Sequence, residues 1–189
     1  MRIYKPIKQT FITQGFGLLN TVPELIPMYQ ELGLIGHNGL DFSAPINTPI
    51  YYNASVKGTV WKMGIYNDGC KYLNILVSDC GNNKMYQFRY LHLLDWNVQP
   101  GQVLEGGELI AYADNTGKYS KGSHLHFDLS PMVANGNSFD YAEPGNGYGG
   151  QIDVSPFYDN RFIKDVMIQQ LGQAISLIQK ILNFLKGRS

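Results

Sequence analysis

Residues 122–129 read Gly122-Ser123-His124-Leu125-His126-Phe127-Asp128-Leu129. The alternation is that of a β-strand. Leu125, Phe127 and Leu129 fall on one face, suited to a core, and His124, His126 and Asp128 fall on the other. Two imidazoles two residues apart on one strand face stand side by side and can share one metal ion. The plainer reading of an isolated H-x-H is a strand whose solvent face happens to carry two histidines. The rest of the chain weighs against it.

There are four histidines in all, and the remaining two are His37 and His92. His37 opens Gly36-His37-Asn38-Gly39-Leu40-Asp41. A helix would put His37 and Asp41 on one face, but Asn38-Gly39 argues against helix there. Fully extended, the two ends would stand roughly 13 Å apart. Both reach one ion only if the chain bends, and Gly39 permits a bend. His92 closes a strand from Met85, sharing a face with Tyr86, Phe88 and Tyr90.

Taken together, H-x-G-x-D, a later Y-x-H and a final H-x-H-F resemble the lysostaphin and LytM-type zinc endopeptidases of family M23, which cut peptidoglycan peptides. The connecting text is similar too. Asp41 to Ile50, DFSAPINTPI, resembles the family's D-x-x-A-P-x-G-T-P-V. Val98 to Ile110, VQPGQVLEGGELI, resembles its V-x-x-G-x-x-V-x-x-G-x-x-I, and Asn115-Thr116-Gly117 resembles the N-T-G before H-L-H-F. The likeness runs from about Phe11 to Phe157. Asn47 replaces a usual glycine, Ser123 a common proline and Asp128 a frequent glutamate. None of these removes a metal ligand.

Composition suits one loop-rich β domain with an appendage: 44% apolar residues, 13 tyrosines, 21 glycines and only 16% charged residues in 189. Zero formal net charge argues against a nucleic-acid or anionic-lipid partner recognised by bulk charge. The start, MRIYKPIKQTF, has no apolar run of the secretory-signal kind, and no run is long and apolar enough for a confident membrane span. Cys70 and Cys80 bracket a strand from Lys71 to Asp79. A continuous strand holds their Cα atoms about 30 Å apart, where a disulfide needs less than about 7 Å. Two free thiols are expected.

The expected fold is all-β, a mostly antiparallel β-sandwich or partly open barrel, with long loops around a groove and a C-terminal amphipathic helix. Strands are predicted at Thr10 to Thr13, Pro49 to Ala54, Gly58 to Met63, Lys71 to Ser78, Lys84 to His92, Glu108 to Ala113 and Ser123 to Leu129. Residues 18–36 read as a surface loop with one helical turn near Met28 to Leu32, bounded by Pro23 and Pro27. Val133 to Gly150 is polar and glycine-rich and reads as a mobile loop. The peptidase domain is expected over 1–160 and the helix over 161–189. In that helix Ile168, Leu171, Ile175, Ile178, Leu182 and Leu185 recur at spacings of three and four, a heptad seam. Self-association or attachment to a larger assembly through residues 165–186 is the expectation.

The resemblance implies the chemistry. His37, Asp41 and His126 bind one Zn2+, leaving an open position, as catalytic zinc sites do. No H-E-x-x-H supplies a glutamate base, so His92 and His124 are the catalytic candidates for proton transfer. Asp128, on the same strand face, either orients a histidine or is simply solvated. Family members often carry a tyrosine near the first ligand, which nominates Tyr29 as a substrate-binding residue; an ordinary half-buried tyrosine fits as well. The implied substrate is a peptidoglycan peptide. With no secretory signal seen, the expected source is a phage virion enzyme or endolysin, or a product exported unconventionally. A serine hydrolase lacks G-x-S-x-G. A histidine phosphocarrier does not need Asp41 beside His37. A non-catalytic wall-binding or tail module on the same fold would be expected to have lost ligands that this chain keeps.

Overall fold

The structure is a computed structural model that describes residues 1–79, 81 and 83–186. Among these residues, thirteen strands and two α-helices follow one another. The strands are β1 (Ile3–Lys5), β2 (Ile12–Gln14), β3 (Leu40–Ser43), β4 (Pro49–Tyr51), β5 (Gly58–Ile65), β6 (Lys71–Asp79) and β7 (Lys84–Leu91). They continue with β8 (Leu93–Trp96), β9 (Val103–Leu104), β10 (Leu109–Ala113), β11 (His124–Asn135), β12 (Ser138–Tyr141) and β13 (Tyr158–Phe162). Helix α1 (Ile26–Glu31) precedes β3, and α2 (Ile163–Lys186) follows β13.

The main sheet has eight strands in the order β2-β3-β11-β7-β6-β5-β9, with β12 paired to β11. All of its pairings are antiparallel. A second sheet, β4-β10-β8, packs against its inner face, and β1 pairs in parallel with β13. The sheets do not close into a barrel, in keeping with the predicted all-β class. Period-two patterning explains the core: Leu73, Ile75 and Val77 of β6, Phe88 and Tyr90 of β7, and Leu125, Phe127 and Leu129 of β11 all turn inward and are buried. Ile50, Leu93 and Ile110 meet them from the second sheet. The alternate residues of β11 and β7 therefore face outward, where the groove lies.

Two expectations are corrected here. Residues 133–150 are not slack loop. β11 runs to Asn135 and turns back through Gly136, at φ +56°, into β12. Phe139 then packs edge-on against Trp61 with ring centroids 6.1 Å apart, and the Tyr148 ring packs tilted against Phe16 with centroids 4.5 Å apart. Asn135-Gly136-Asn137 is a hairpin signal, and the polar composition around it obscured it. His92 does not share the face of Tyr86, Phe88 and Tyr90. It stands past the end of β7 with φ +64°, and that left-handed residue breaks the alternation and turns the ring to the groove.

Residue 160 lies inside β13, and the first turn of α2 is packed. Phe162, Ile163 and Val166 are buried with Tyr4. Beyond them the apolar stripe of α2 is open to solvent, with Ile168 and Leu171 each more than 60% exposed. Among the described residues no helix is long and apolar enough to cross a membrane. Cys70 is a free, buried thiol at the start of the continuous strand β6, while Cys80 lies outside the described residues.

Candidate active site

Strand register assembles the site. β3 lies beside β11, and Asp41 is the direct partner of His126. His37 joins them because the chain bends at Asn38-Gly39. Its backbone is held by Gly17 N–H donating to its carbonyl and by its own N–H donating to Thr21 Oγ1. The side chains meet closely: His37 Nε2 is 3.1 Å from Asp41 Oδ1, His126 Nδ1 is 2.9 Å from the same oxygen, and the two nitrogens are 3.1 Å apart. Gly39 serves here by what it lacks. A Cβ there would stand 2.6 Å from the Phe127 carbonyl oxygen and 2.7 Å from the His126 ring.

The other ring nitrogens decide what those atoms can do. His37 Nδ1 lies 2.8 Å from the Gly15 carbonyl oxygen, which only accepts, so Nδ1 carries the proton. His126 Nε2 lies 3.2 Å from Asp128 Oδ2 and donates to it. The atoms left to face Asp41 are then His37 Nε2 and His126 Nδ1. Three acceptor atoms converging within 4.8 Å, all but closed from solvent, need a positive charge among them. With a proton on an imidazole in that place, the electrostatics show the same demand. Burial works to raise the Asp41 carboxyl, but hydrogen bonds from His126 and His37 and their charge hold it well below the usual carboxylate range. Burial works to lower His126, yet its bonds to Asp128 and Asp41 push it up to about 9. Two imidazoles and a carboxylate on one point fit a zinc-type cation.

His92 and His124 stand beside this cluster with ring centroids 4.6 Å apart. His92 Nδ1 donates to the Thr116 carbonyl at 2.7 Å, leaving Nε2 as an open acceptor. Burial, then the neighbouring His124 and His126, push the His92 imidazole down to about 4. His124 Nδ1 donates to the Gly122 carbonyl at 2.7 Å, and its Nε2 lies 3.7 Å from Asp41 Oδ1. Tyr29, on α1, is buried and tilts toward His37 with ring centroids 5.8 Å apart. Its hydroxyl accepts from Gln14 Nε2 at 3.1 Å, and burial followed by the Asp41 charge raises its phenol. Asp128 is fully buried against Arg89.

Two residues of the site carry no signal in the motifs. Cys70 Sγ lies 3.5 Å from His92 Nδ1, and Arg89 reaches Asp128 at 2.7 Å. Both line, with Tyr29, Asp41, His92, His124 and His126, a cavity of about 800 Å³. Leu25, Met28, Leu32 and Leu34 form its apolar wall; Tyr66, Asp68, Tyr119 and Lys121 lie on other parts of its lining.

Residues 35–141 match the model of peptidase family M23. The chain belongs to that family. It is 38% identical over 96 residues to the peptidoglycan DD-endopeptidase ShyB of Vibrio cholerae, covering 51% of this chain and 21% of that protein. It is 34% identical over 98 residues to lysostaphin of Staphylococcus simulans, covering 51% of this chain and 19% of that protein. This M23 chain thus matches these curated relatives over about a fifth of their length. Among solved structures it resembles a zinc-containing peptidase from Vibrio cholerae with a TM-score of 0.57 and 27% identity, covering 82% of this chain and 39% of that one. The catalytic domain of lysostaphin from Staphylococcus simulans superposes with a TM-score of 0.52 and 25% identity, covering 79% and 91%. The matched span contains His37, Asp41, His92, His124 and His126.

Proposed function

We propose that the chain is a zinc-dependent endopeptidase acting on the peptides of bacterial peptidoglycan. One observation carries the reading: the His37, Asp41 and His126 acceptors converge on one point while two further histidines face the same cavity. The names of the relatives, a peptidoglycan DD-endopeptidase and lysostaphin, supply the substrate class.

His37 Nε2, Asp41 Oδ1 and His126 Nδ1 would hold the ion. When bound, such an ion polarises a carbonyl oxygen and makes water a stronger acid near neutral pH. The remaining work falls to the protein. His92 is neutral at pH 7 and offers Nε2 to a proton, because Thr116 fixes its Nδ1–H. His124 offers Nε2 from the neighbouring strand, fixed by Gly122 in the same way. One imidazole can take the proton of an attacking water, and an imidazole of the pair can deliver one to the leaving amine. The apolar wall on and around α1 excludes water from one side of a bound peptide. Asp41 keeps its negative charge in this dry setting, which favours a cation over a neutral occupant.

The test pairs metal content with cleavage. Purified chain is expected to carry about one zinc and to clear zones in peptidoglycan zymograms, and Asp41→Ala to lose both. Wild-type chain without zinc, or with cleavage unaffected by Asp41→Ala, would overturn the reading.

A further inference from the structure

We infer that Arg89 is a positioning residue for the His37–Asp41–His126 cluster: its guanidinium clamps Asp128, and Asp128 in turn aims the His126 ring. The inference rests on the reading of that cluster as a cation site.

Arg89 and Asp128 are register partners on β7 and β11 and both point to the outer face of the sheet. Arg89 Nε donates to Asp128 Oδ2 at 2.7 Å, and the same oxygen accepts from His126 Nε2 at 3.2 Å. Across the ring, His126 Nδ1 meets Asp41 Oδ1 at 2.9 Å. An unbroken line of contacts therefore runs from a guanidinium to the candidate metal point. It passes through a carboxylate that is 0% exposed.

The line has few other supports. Asp128 Oδ1 has no hydrogen-bond partner among the described residues, so the carboxylate is oriented through Oδ2 alone. Among the described residues, Oδ2 meets His126, whose position is in question, and Arg89, which is independent of the cluster. Arg89 is itself anchored. In the orientation that satisfies both its ends, the Gln151 amide oxygen accepts from Arg89 Nη2 at 3.3 Å and from Ser130 Oγ at 3.3 Å. Gln151 is buried, so the guanidinium is held from the loop after β12 as well as from the sheet.

An ion pair that merely joined two strands would be redundant here, because β7 and β11 already pair through seven residues from His126 to Met132. What Arg89 adds is direction. A planar guanidinium fixes a carboxylate in angle as well as distance. A partner that orients a ligating histidine commonly contributes ten- to a hundred-fold in metal affinity.

The experiment uses the full chain as wild type, Arg89→Met, Asp128→Asn and the double variant. Each is titrated with zinc chloride against a chromophoric chelator. Long-range proton–nitrogen spectra of the metal-free chains read which ring nitrogen of His126 carries its proton. Each single variant is expected to weaken zinc binding about ten- to a hundred-fold. The double variant is expected to be no weaker than Asp128→Asn, because Arg89 acts through Asp128. Arg89→Met with wild-type affinity, or a double variant whose loss is the product of the single losses, overturns the inference. Arg89→Gln, which keeps length and a donor but not the charged fork, carries the same test if Arg89→Met does not fold; wild-type affinity there also overturns it. A wild-type chain that takes up no zinc overturns the metal reading instead. The spectra then decide the inference alone: loss of the His126 Nε2–H signal in Arg89→Met supports it, and an unchanged signal overturns it.

Discussion

His126 and Asp41 are direct partners on adjacent antiparallel strands, and His126 Nδ1 stands 2.9 Å from Asp41 Oδ1. The geometry follows from register, since a slip of one residue between β3 and β11 would put the two side chains on opposite faces. Removing His126 should therefore remove the metal without undoing the sheet. His126→Ala is expected to purify folded and with less than a tenth of the wild-type zinc, read by mass spectrometry. Equal zinc in the two proteins would show that the cluster is not the site.

His92 and His124 should separate from the ligands by a different signature. Neither contributes an atom to the convergent trio, and each has Nδ1 tied to a backbone carbonyl. His92→Ala and His124→Ala are expected to keep zinc while losing activity on peptidoglycan about 100-fold or more. Loss of zinc in either variant would mean the roles are exchanged.

Gly39 gives a prediction that turns on space rather than on chemistry. A Cβ there would press on the Phe127 carbonyl and on the His126 ring, at 2.6 Å and 2.7 Å. The backbone carbonyl cannot yield cheaply, so the ring must move. Gly39→Ala is expected to lose zinc at least ten-fold and to melt lower. Gly145→Ala, where an added Cβ meets nothing within 4 Å, should change neither. Wild-type zinc affinity in Gly39→Ala would mean the ring tolerates displacement.

These residues differ in how far the chain alone reveals them. His37, Asp41 and His126 were legible because they sit in short motifs, and Leu125, Phe127 and Leu129 because alternation exposes a core face. Gly39 was legible as a glycine but not for its reason. A bend was expected, and clearance for a ring from 87 residues further along is what it provides. Arg89 and Asp128 are 39 residues apart and meet only through strand pairing, which composition cannot supply. His92 escaped the face assignment because a positive φ in a non-glycine residue leaves no mark in an alternation pattern. The hairpin at 135–138 was hidden by a run of glycine, asparagine and serine that weighs toward loop.

Cys70 lies against His92 and is buried, and burial pushes its thiol up to about 11, partly opposed by its contact with His92. It should be almost entirely protonated at pH 8 and react slowly with a thiol reagent in the folded chain. In a Cys80→Ser background, one thiol per chain is expected to label only after denaturation. The sign for stability follows. The folded state favours the neutral thiol, so this contribution is full below the unfolded thiol's ordinary value near 9.0 and is lost as pH rises through about 11. Rapid labelling of the native chain at pH 8 would contradict the burial.

Helix α2 divides at about Met167. Phe162, Ile163 and Val166 are buried against the body, whereas Ile168, Leu171, Ile175, Ile178, Leu182 and Leu185 are between 48% and 66% exposed. A cut after Asn160 would strip the packed turn and break β13. A cut after Met167 removes only the open part, and since His37, Asp41, His92, His124 and His126 all precede residue 130, zinc binding should survive it. The open stripe repeats at spacings of three and four, so a second copy of the same helix presents a matching seam. Its flanks between Val166 and Gln179 carry no charge to repel that copy. Burying each leucine or isoleucine fully would contribute about 1.5–3 kcal/mol. The full chain is expected to sediment as an oligomer and the chain cut after Met167 as a monomer with unchanged zinc content. Two monomers would set self-association aside, and binding of the full chain but not the truncation to lipid vesicles would then identify the stripe's occupant as a membrane surface.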